Sequence, residues 1–275
     1  MCRLFGLIAD TPVSIENPIL EGIKPFVELS YKHHDGWGIG YVDGCPPGEK
    51  SIRVVKSDYP AWKDEHFSRL IKHLVSCLAI VHLRDAKYGP VALRNTHPFF
   101  AEGWIFAHNG SLRNFRKIER ELRGKRFSGE TDSERYFYLL LKHIKQKEDV
   151  PRGVRSAIEW LHKNYIEGAK NFLMSDGNHI YAYREGRELY YVEREVPISP
   201  IEPLRRILGG SLGNGSGEAL AEGEVNKTAR MVVIASEILT DESWHEVPES
   251  HLLIVNDKLQ VVIEPILEKA GVPIA

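Results

Sequence analysis

Short apolar runs separated by Gly, Pro, Asn and Asp recur along this chain, and between them lie stretches whose apolar spacing is helical. Residues 3 to 9 (RLFGLIA) read as a buried strand ending at a Thr11-Pro12 turn. From 15 to 33, the positions Ile19, Leu20, Ile23, Phe26, Val27 and Tyr31 fall on one face of a helix. The run DGWGIGYVDG (35 to 44) alternates glycine with large apolar residues and reads as a strand with a tight entry. SIRVVKS (51 to 57) is its hairpin partner across a CPPGE loop. A helix near 63 to 75 leads into a strand at 77 to 84, and WIFAHNG (104 to 110) is a further strand ending in a turn. Helices follow over 131 to 147 and 152 to 165, then strands at 170 to 175, 179 to 184, 189 to 194 and 230 to 236. SHLLIVND and KLQVVIEP, around 250 to 265, form a closing hairpin with Asn-Asp at its turn.

The order is mixed helix and strand followed by a mostly stranded second half, an α+β pattern. Hairpins and alternation favour antiparallel pairing over a doubly wound sheet. CLAIVHL and MVVIAS are apolar on both faces, which suits sheets covered on both sides. Two sheets between helices would satisfy this, although the pattern alone does not select that arrangement. There is no internal repeat. GGSLGNGSGEALAEGE (209 to 224) reads as a loop rather than a linker, because strand-forming sequence resumes at once.

Charge and cysteine usage narrow the function classes. Across 275 residues, 36 Lys and Arg face 38 Asp and Glu, a net charge of −2 that gives no footing for non-specific nucleic-acid binding. No run approaches the roughly 20 apolar residues of a membrane helix. MCRLFGLIAD is too short in apolar residues for a signal peptide. Three cysteines (Cys2, Cys45 and Cys77), with no C-x-x-C pair, exclude a disulfide framework and a cysteine zinc site, and a cytoplasmic location is the simplest setting. Cys77 reads as a core residue and Cys45 as part of a turn. Among twelve His, His33-His34 beside Asp35 is the nearest approach to a metal pattern, but adjacent side chains diverge and no H-E-x-x-H occurs. No metal and no cofactor are expected. The glycine-rich 209 to 224 stretch lacks the lysine of a phosphate loop.

Four features carry chemistry, each with a plainer alternative. Cys2 becomes N-terminal if Met1 is removed, which joins a thiol to an α-amine of pKa about 7.7 to 8.0, a base built into the nucleophile's own residue. Its alternative is a small apolar residue opening a strand. Asn109-Gly110 closes a strand, as a turn or as a pair of oxyanion donors. Arg84 ends VHLR, as an exposed arginine or as a planar fork for a carboxylate. In ETDSE, Thr131 or Asp132 caps a helix with Glu134 in its first turn, or Asp132 serves a ligand.

In order, MCRLFGLIAD, HHDGWGIGY, VHLR, NTHPF, HNGSL and ETDSE resemble the class II glutamine amidotransferases, the N-terminal-nucleophile (Ntn) glutaminases, most closely the stand-alone YafJ-like subfamily. VVIASEILTDESW (232 to 244) is similar to a late segment of the same subfamily. The resemblance implies a four-layer αββα Ntn-hydrolase sandwich of two mostly antiparallel sheets between helices. It implies one domain over 1 to 275, with motifs in 2 to 140 and a stranded remainder over 165 to 275. Cys2 would attack the γ-amide carbon of glutamine through a γ-glutamyl thioester, with its α-amine as base and then acid. Asn109 and Gly110 would hold the oxyanion, Arg84 the α-carboxylate and Asp132 the α-ammonium group. DGWGIG would wall the pocket, and His97 in THPF would be structural support.

Two departures qualify the substrate and the partner. Synthase-type members follow the arginine with an aromatic residue and then a Thr-His pair before glycine; here Asp85-Ala86-Lys87-Tyr88 stand there, so a γ-glutamyl thiol or peptide is an alternative donor. No synthase segment is recognisable. The resemblance therefore implies either an ammonia-accepting synthase subunit as partner or hydrolysis as the function itself, with a non-catalytic regulatory subunit as the remaining alternative.

Overall fold

The computed structural model describes residues 2–16, 19, 25–43, 51–197 and 228–267. One sheet runs β11 (His245–Glu246), β9 (Tyr190–Pro197), β10 (Thr228–Ala235), β1 (Arg3–Ser14), β4 (Val75–Leu83), β2 (Trp37–Asp43), β3 (Ser51–Ser57). The second runs β13 (Val261–Pro265), β12 (His251–Val255), β8 (Ile180–Arg184), β7 (Lys170–Ser175), β6 (Trp104–Gly110), β5 (Phe99–Ala101). Every pairing between described strands is antiparallel. The helices are α1 (Glu65–His73), α2 (Arg116–Glu121), α3 (Asp132–Lys147) and α4 (Val150–Lys163).

Strand period 2 explains why so many strands are apolar on both faces: consecutive residues enter different cores. Leu4, Ile8, Ile80, Ala107, Leu173 and Ile234 pack between the two sheets. Phe5, Leu7, Val81 and Val233, their chain neighbours, face outward beneath Phe67 and Ile71 of α1. On the far side, Phe106 and Phe172 meet Tyr136, Phe137 and Leu140 of α3 and Ile158 and Leu161 of α4. The result is four layers, helix, sheet, sheet, helix, the αββα sandwich expected. Each fully buried Leu or Phe stabilises this arrangement by about 1.5–3 kcal/mol relative to exposure.

Several elements differ from expectation. Strand β1 continues through Thr11-Pro12, because its register against β4 shifts between Ile8 and Val13 and such an irregularity tolerates proline. In the stretch read as a helix over 15 to 33, a 3-10 helix spans Phe26–Tyr31, and 20 to 24 lie outside the described residues. The CPPGE loop, Cys45 and the 209 to 224 stretch also lie outside them. Cys2 is a free thiol, but Cys77 is disulfide-bonded rather than a lone core thiol. Spacing along a chain does not show which thiols a fold brings within bonding distance. Short β5, α2 and β11 carry too few residues to display a period. Among the described residues no helix is long and apolar enough to cross a membrane.

Candidate active site

The site forms where β1, β4, β6 and the start of α3 converge. Cys2 lies immediately before β1 and is 7% exposed. Its Sγ donates to the Asp85 carbonyl at 3.5 Å and accepts from the Asp85 N–H at 3.4 Å, so one residue's main chain holds the sulfur on two sides. Burial pushes the thiol up to about 11, with the Asp85 N–H and Arg84 opposing the rise and the Asp85 charge adding to it. At neutral pH the group is a thiol, and its nucleophilicity depends on a base.

Arg84 follows β4, and its backbone ties to the entry of β2 through Arg84 N–H to Gly36 O (2.8 Å) and Asp35 N–H to Arg84 O (3.1 Å). Its guanidinium is not an exposed fork. Nη2 donates to the carbonyls of Tyr88 (3.3 Å), Gly89 (3.4 Å) and Pro90 (3.1 Å), and Nη1 makes a long contact with Asp35 O at 3.5 Å. Arg84 thus shapes the turn carrying Asp85, Lys87 and Tyr88. Within that turn Lys87 Nζ sits 3.2 Å from Asp85 Oδ2.

Asn109 and Gly110 end β6, facing Asn171 and Lys170 of β7. A Cβ on Gly110 would lie 1.9 Å from Ala169 O and 2.5 Å from His108 Nε2, so only glycine lets the strand end pass. Gly110→Ala is accordingly expected to destabilise the protein by about 3 kcal/mol or more, because the first obstruction is backbone. A urea midpoint indistinguishable from wild type would contradict that packing. The Asn109 side-chain oxygen is buried without a hydrogen-bond partner.

At α3 the cap is Thr131, whose hydroxyl accepts from Glu134 N–H at 3.2 Å. That leaves Asp132 for another task. Its Oδ2 accepts from Leu112 N–H at 2.6 Å, joining the turn after Gly110 to the helix start. Glu134 accepts from the N–H groups of Ser128 (2.8 Å) and Gly129 (2.9 Å). Ser133 Oγ lies 2.9 Å from His108 Nδ1, and His108 Nε2 lies 3.0 Å from Ala169 O. Burial first of all holds His108 below its ordinary range, so Nε2 carries the hydrogen and donates to Ala169.

Two clefts meet here. One, closed down to about 20 Å³, is lined by Cys2, Arg84, Lys87, His97, Gly110 and Asp132 among others. The other, about 950 Å³, is lined by Arg3, Asn109, Arg184, Glu188, Tyr190 and Glu249 among others. Their boundary falls between Cys2 and Arg3 on one strand and between Asn109 and Gly110 on the other. The structure therefore brings Cys2, Arg84, Gly110 and Asp132 to one cleft and sets Asn109 on its border with the next.

From the sequence, His97 is expected only as structural support and His33 only as part of an unmet metal pattern, and His82 has no role of its own. His33, His82 and His97 are buried with both ring nitrogens unpartnered, and the His82 and His97 rings lie against each other with centroids 4.2 Å apart and planes tilted by 40°. The motifs quoted for the site contain all three, but burial without partners leaves no mark in a sequence. Among the described residues, no group of three or more His, Cys, Asp or Glu is placed to hold a metal ion.

Comparison with known proteins gives a consistent result. The family model described as "Glutamine amidotransferases class-II" matches residues 1–269. The Escherichia coli (strain K12) protein YafJ, which carries a glutamine amidotransferase name, is 32% identical over 208 residues, covering 72% of this chain and 78% of its own. A crystal structure described as a predicted glutamine amidotransferase from Pseudomonas aeruginosa is 26% identical. It superposes with a TM-score of 0.59, over 95% of this chain and 99% of that one. Glutamine phosphoribosylpyrophosphate amidotransferase from B. subtilis, 17% identical, shares the fold with a TM-score of 0.61 over 98% of this chain and 50% of its own.

Proposed function

Since this chain belongs to the class-II glutamine amidotransferases, enzymes of amide hydrolysis and transfer, we propose that it hydrolyses the γ-amide of glutamine through a thioester on Cys2. The observation that carries this reading is the single cleft holding the Cys2 thiol, the Gly110 strand end, Arg84 and Asp132.

After loss of Met1, the α-amine of Cys2 takes the thiol proton and Sγ attacks the γ-carbonyl carbon. The oxyanion is held by the Gly110 N–H and the Asn109 side-chain amide, each such donor worth roughly 3–4 kcal/mol. The position of Asn109 on the border between clefts suits a carbonyl whose glutamyl part lies on one side and whose leaving group lies on the other. The amine returns the proton to nitrogen, the C–N bond breaks and ammonia departs. Water then attacks the thioester, giving its proton to the amine, and glutamate leaves as the thiol is restored. Arg84 supplies positive charge toward the α-carboxylate and Asp132 negative charge toward the α-ammonium group, a pairing that selects the free zwitterion. No cofactor takes part.

A second reading concerns the donor. The 950 Å³ cleft beyond Asn109 gives room for a leaving group larger than ammonia, so a γ-glutamyl thiol or peptide fits beside glutamine. Rates of glutamate release across a γ-glutamyl panel separate the cases. Preference for glutamine, slow in isolation, favours a synthase subunit that accepts ammonia; a faster thiol or peptide substrate favours a stand-alone hydrolase. Release from no member of the panel would overturn both readings.

Asp132→Asn keeps an oxygen for Leu112 N–H and removes only the charge. We expect the KM for glutamine to rise about tenfold with the urea midpoint little changed, since hydrogen bonds to charged groups are worth about 1.5–3 kcal/mol. An unchanged KM assigns Asp132 to the turn alone.

A further inference from the structure

His97 lines the Cys2 cleft at 4% exposure, and neither of its ring nitrogens has a partner. Buried polar atoms without partners are uncommon, and each has a specific explanation. Internal packing does not provide one here. The ring lies tilted against His82 at 4.2 Å and stands edge-on to Phe99 at 4.7 Å, contacts that hold its plane but satisfy no nitrogen.

The segment that carries it is fixed from behind. A Cβ on Gly38 would lie 2.0 Å from His97 O, so glycine allows β2 to lie directly against this backbone. Lys56 Nζ donates to Thr96 O at 2.9 Å, and Thr96 Oγ1 donates to Ala92 O at 3.0 Å. An imidazole placed this rigidly is prepared for a ligand rather than left to find one.

The chemistry of the cleft says which part of a ligand it meets. The two cations nearest the pocket are already engaged: Arg84 Nη2 on three turn carbonyls and Lys87 on Asp85. Asp85 and Asp132 line the same cleft, so its charge is close to balanced, and the two cations offer few directed donors. A neutral imidazole carries one N–H and one bare nitrogen. Burial first, then neighbouring His82 and His108, then the charges of Arg84 and Lys56, holds His97 well below its ordinary range, so it is neutral at physiological pH. A neutral N–H close to the Arg84 charge suits the anionic end of a zwitterion whose cationic end Asp132 can meet.

We infer that His97 is a substrate-binding residue whose ring N–H donates to the α-carboxylate of the bound γ-glutamyl group, completing a subsite to which Arg84 contributes charge. This rests on the glutaminase reading and adds a donor to it.

The test compares glutamine with 4-aminobutanamide, the same γ-amide without the α-carboxylate. His97→Phe keeps an aromatic ring against His82 and Phe99 and removes the donor. It should raise the glutamine KM about tenfold, change kcat by less than about threefold, and leave the KM for 4-aminobutanamide within about twofold. His97→Gln, which restores an N–H, should recover most of the loss. Binding gives a readout independent of turnover. In the Cys2→Ala protein, L-glutamate should shift the His97 ring ¹⁵N resonances and 4-aminobutanoate should not, and adding His97→Phe should weaken glutamate about tenfold. Equal losses with and without the carboxylate, or an unshifted ring on glutamate binding, would make His97 a packing residue and overturn the inference alone. Failure of the wild-type protein both to hydrolyse glutamine and to bind glutamate would bring down the glutaminase reading, and this inference with it.

Discussion

Protein that retains Met1 is expected to release glutamate about a thousandfold more slowly than protein whose chain begins at Cys2, the scale on which a positioned general base acts. Burial raises the Cys2 thiol to about 11, so at neutral pH the sulfur holds its proton and only a trace of thiolate exists. Among the described residues, the groups hydrogen-bonded to the sulfur are the Asp85 N–H and carbonyl, and neither is a base of useful strength. An α-amine on Cys2 itself supplies one with a pKa of about 7.7 to 8.0, placed by covalent geometry rather than by packing. Intact mass and activity measured on the same preparation check this. Cys2→Ala should abolish both glutamate release and labelling by a diazo-ketone analogue of glutamine. Full activity with Met1 in place, or a label on another residue, would refute the mechanism.

Mild acid should unfold this protein well before its carboxylates titrate. Burial, the largest influence on each, holds His33 at about 4 and His82 at about 3, and it also lowers His97 and His108. In the unfolded chain these groups take up protons near pH 6.5; in the folded protein they do not. Their contribution to stability is therefore complete above pH 6.5 and is lost as pH falls from there toward 4. Each histidine contributes a slope of up to about 1.4 kcal/mol per pH unit, so four contribute at most about 5.6 kcal/mol per unit, against a typical total of 5–15 kcal/mol. Urea midpoints measured between pH 7.5 and 5.0 should fall steeply below 6.5. A flat profile would mean that the imidazoles accept protons in place.

The long elements were legible because their periods are unambiguous. Strands β6 and β7 and helices α3 and α4 fall within a residue or two of the spans their apolar spacing predicts. Strand β1 differs from expectation at Pro12, where extra residues of β1 between Ile8 and Val13 shift its register against β4 and no local signal reports it. The cleft was readable only in part. The motif order pointed to Cys2, Arg84, Gly110 and Asp132, which share one cavity. That Arg84 spends Nη2 on turn carbonyls, and that Asp132 bonds Leu112 while Thr131 caps the helix, depends on distances no spacing encodes. The unpartnered imidazoles of His82 and His97 were least visible, since a histidine in a strand looks the same whether it is solvated or orphaned.

The placement of β1 between β4 and β10 bears on how the enzyme is made. The strand that begins beside Cys2 is sealed on one side by Val75–Leu83 and on the other only by Thr228–Ala235, far downstream. Until the ribosome has delivered that late segment, β1 presents an open edge with the apolar faces of Leu4 to Ile8 unsheltered, a template for pairing with other chains. Strand β1 is thus among the last to be enclosed, and its synthesis precedes its protection by the whole stretch between Ser14 and Thr228.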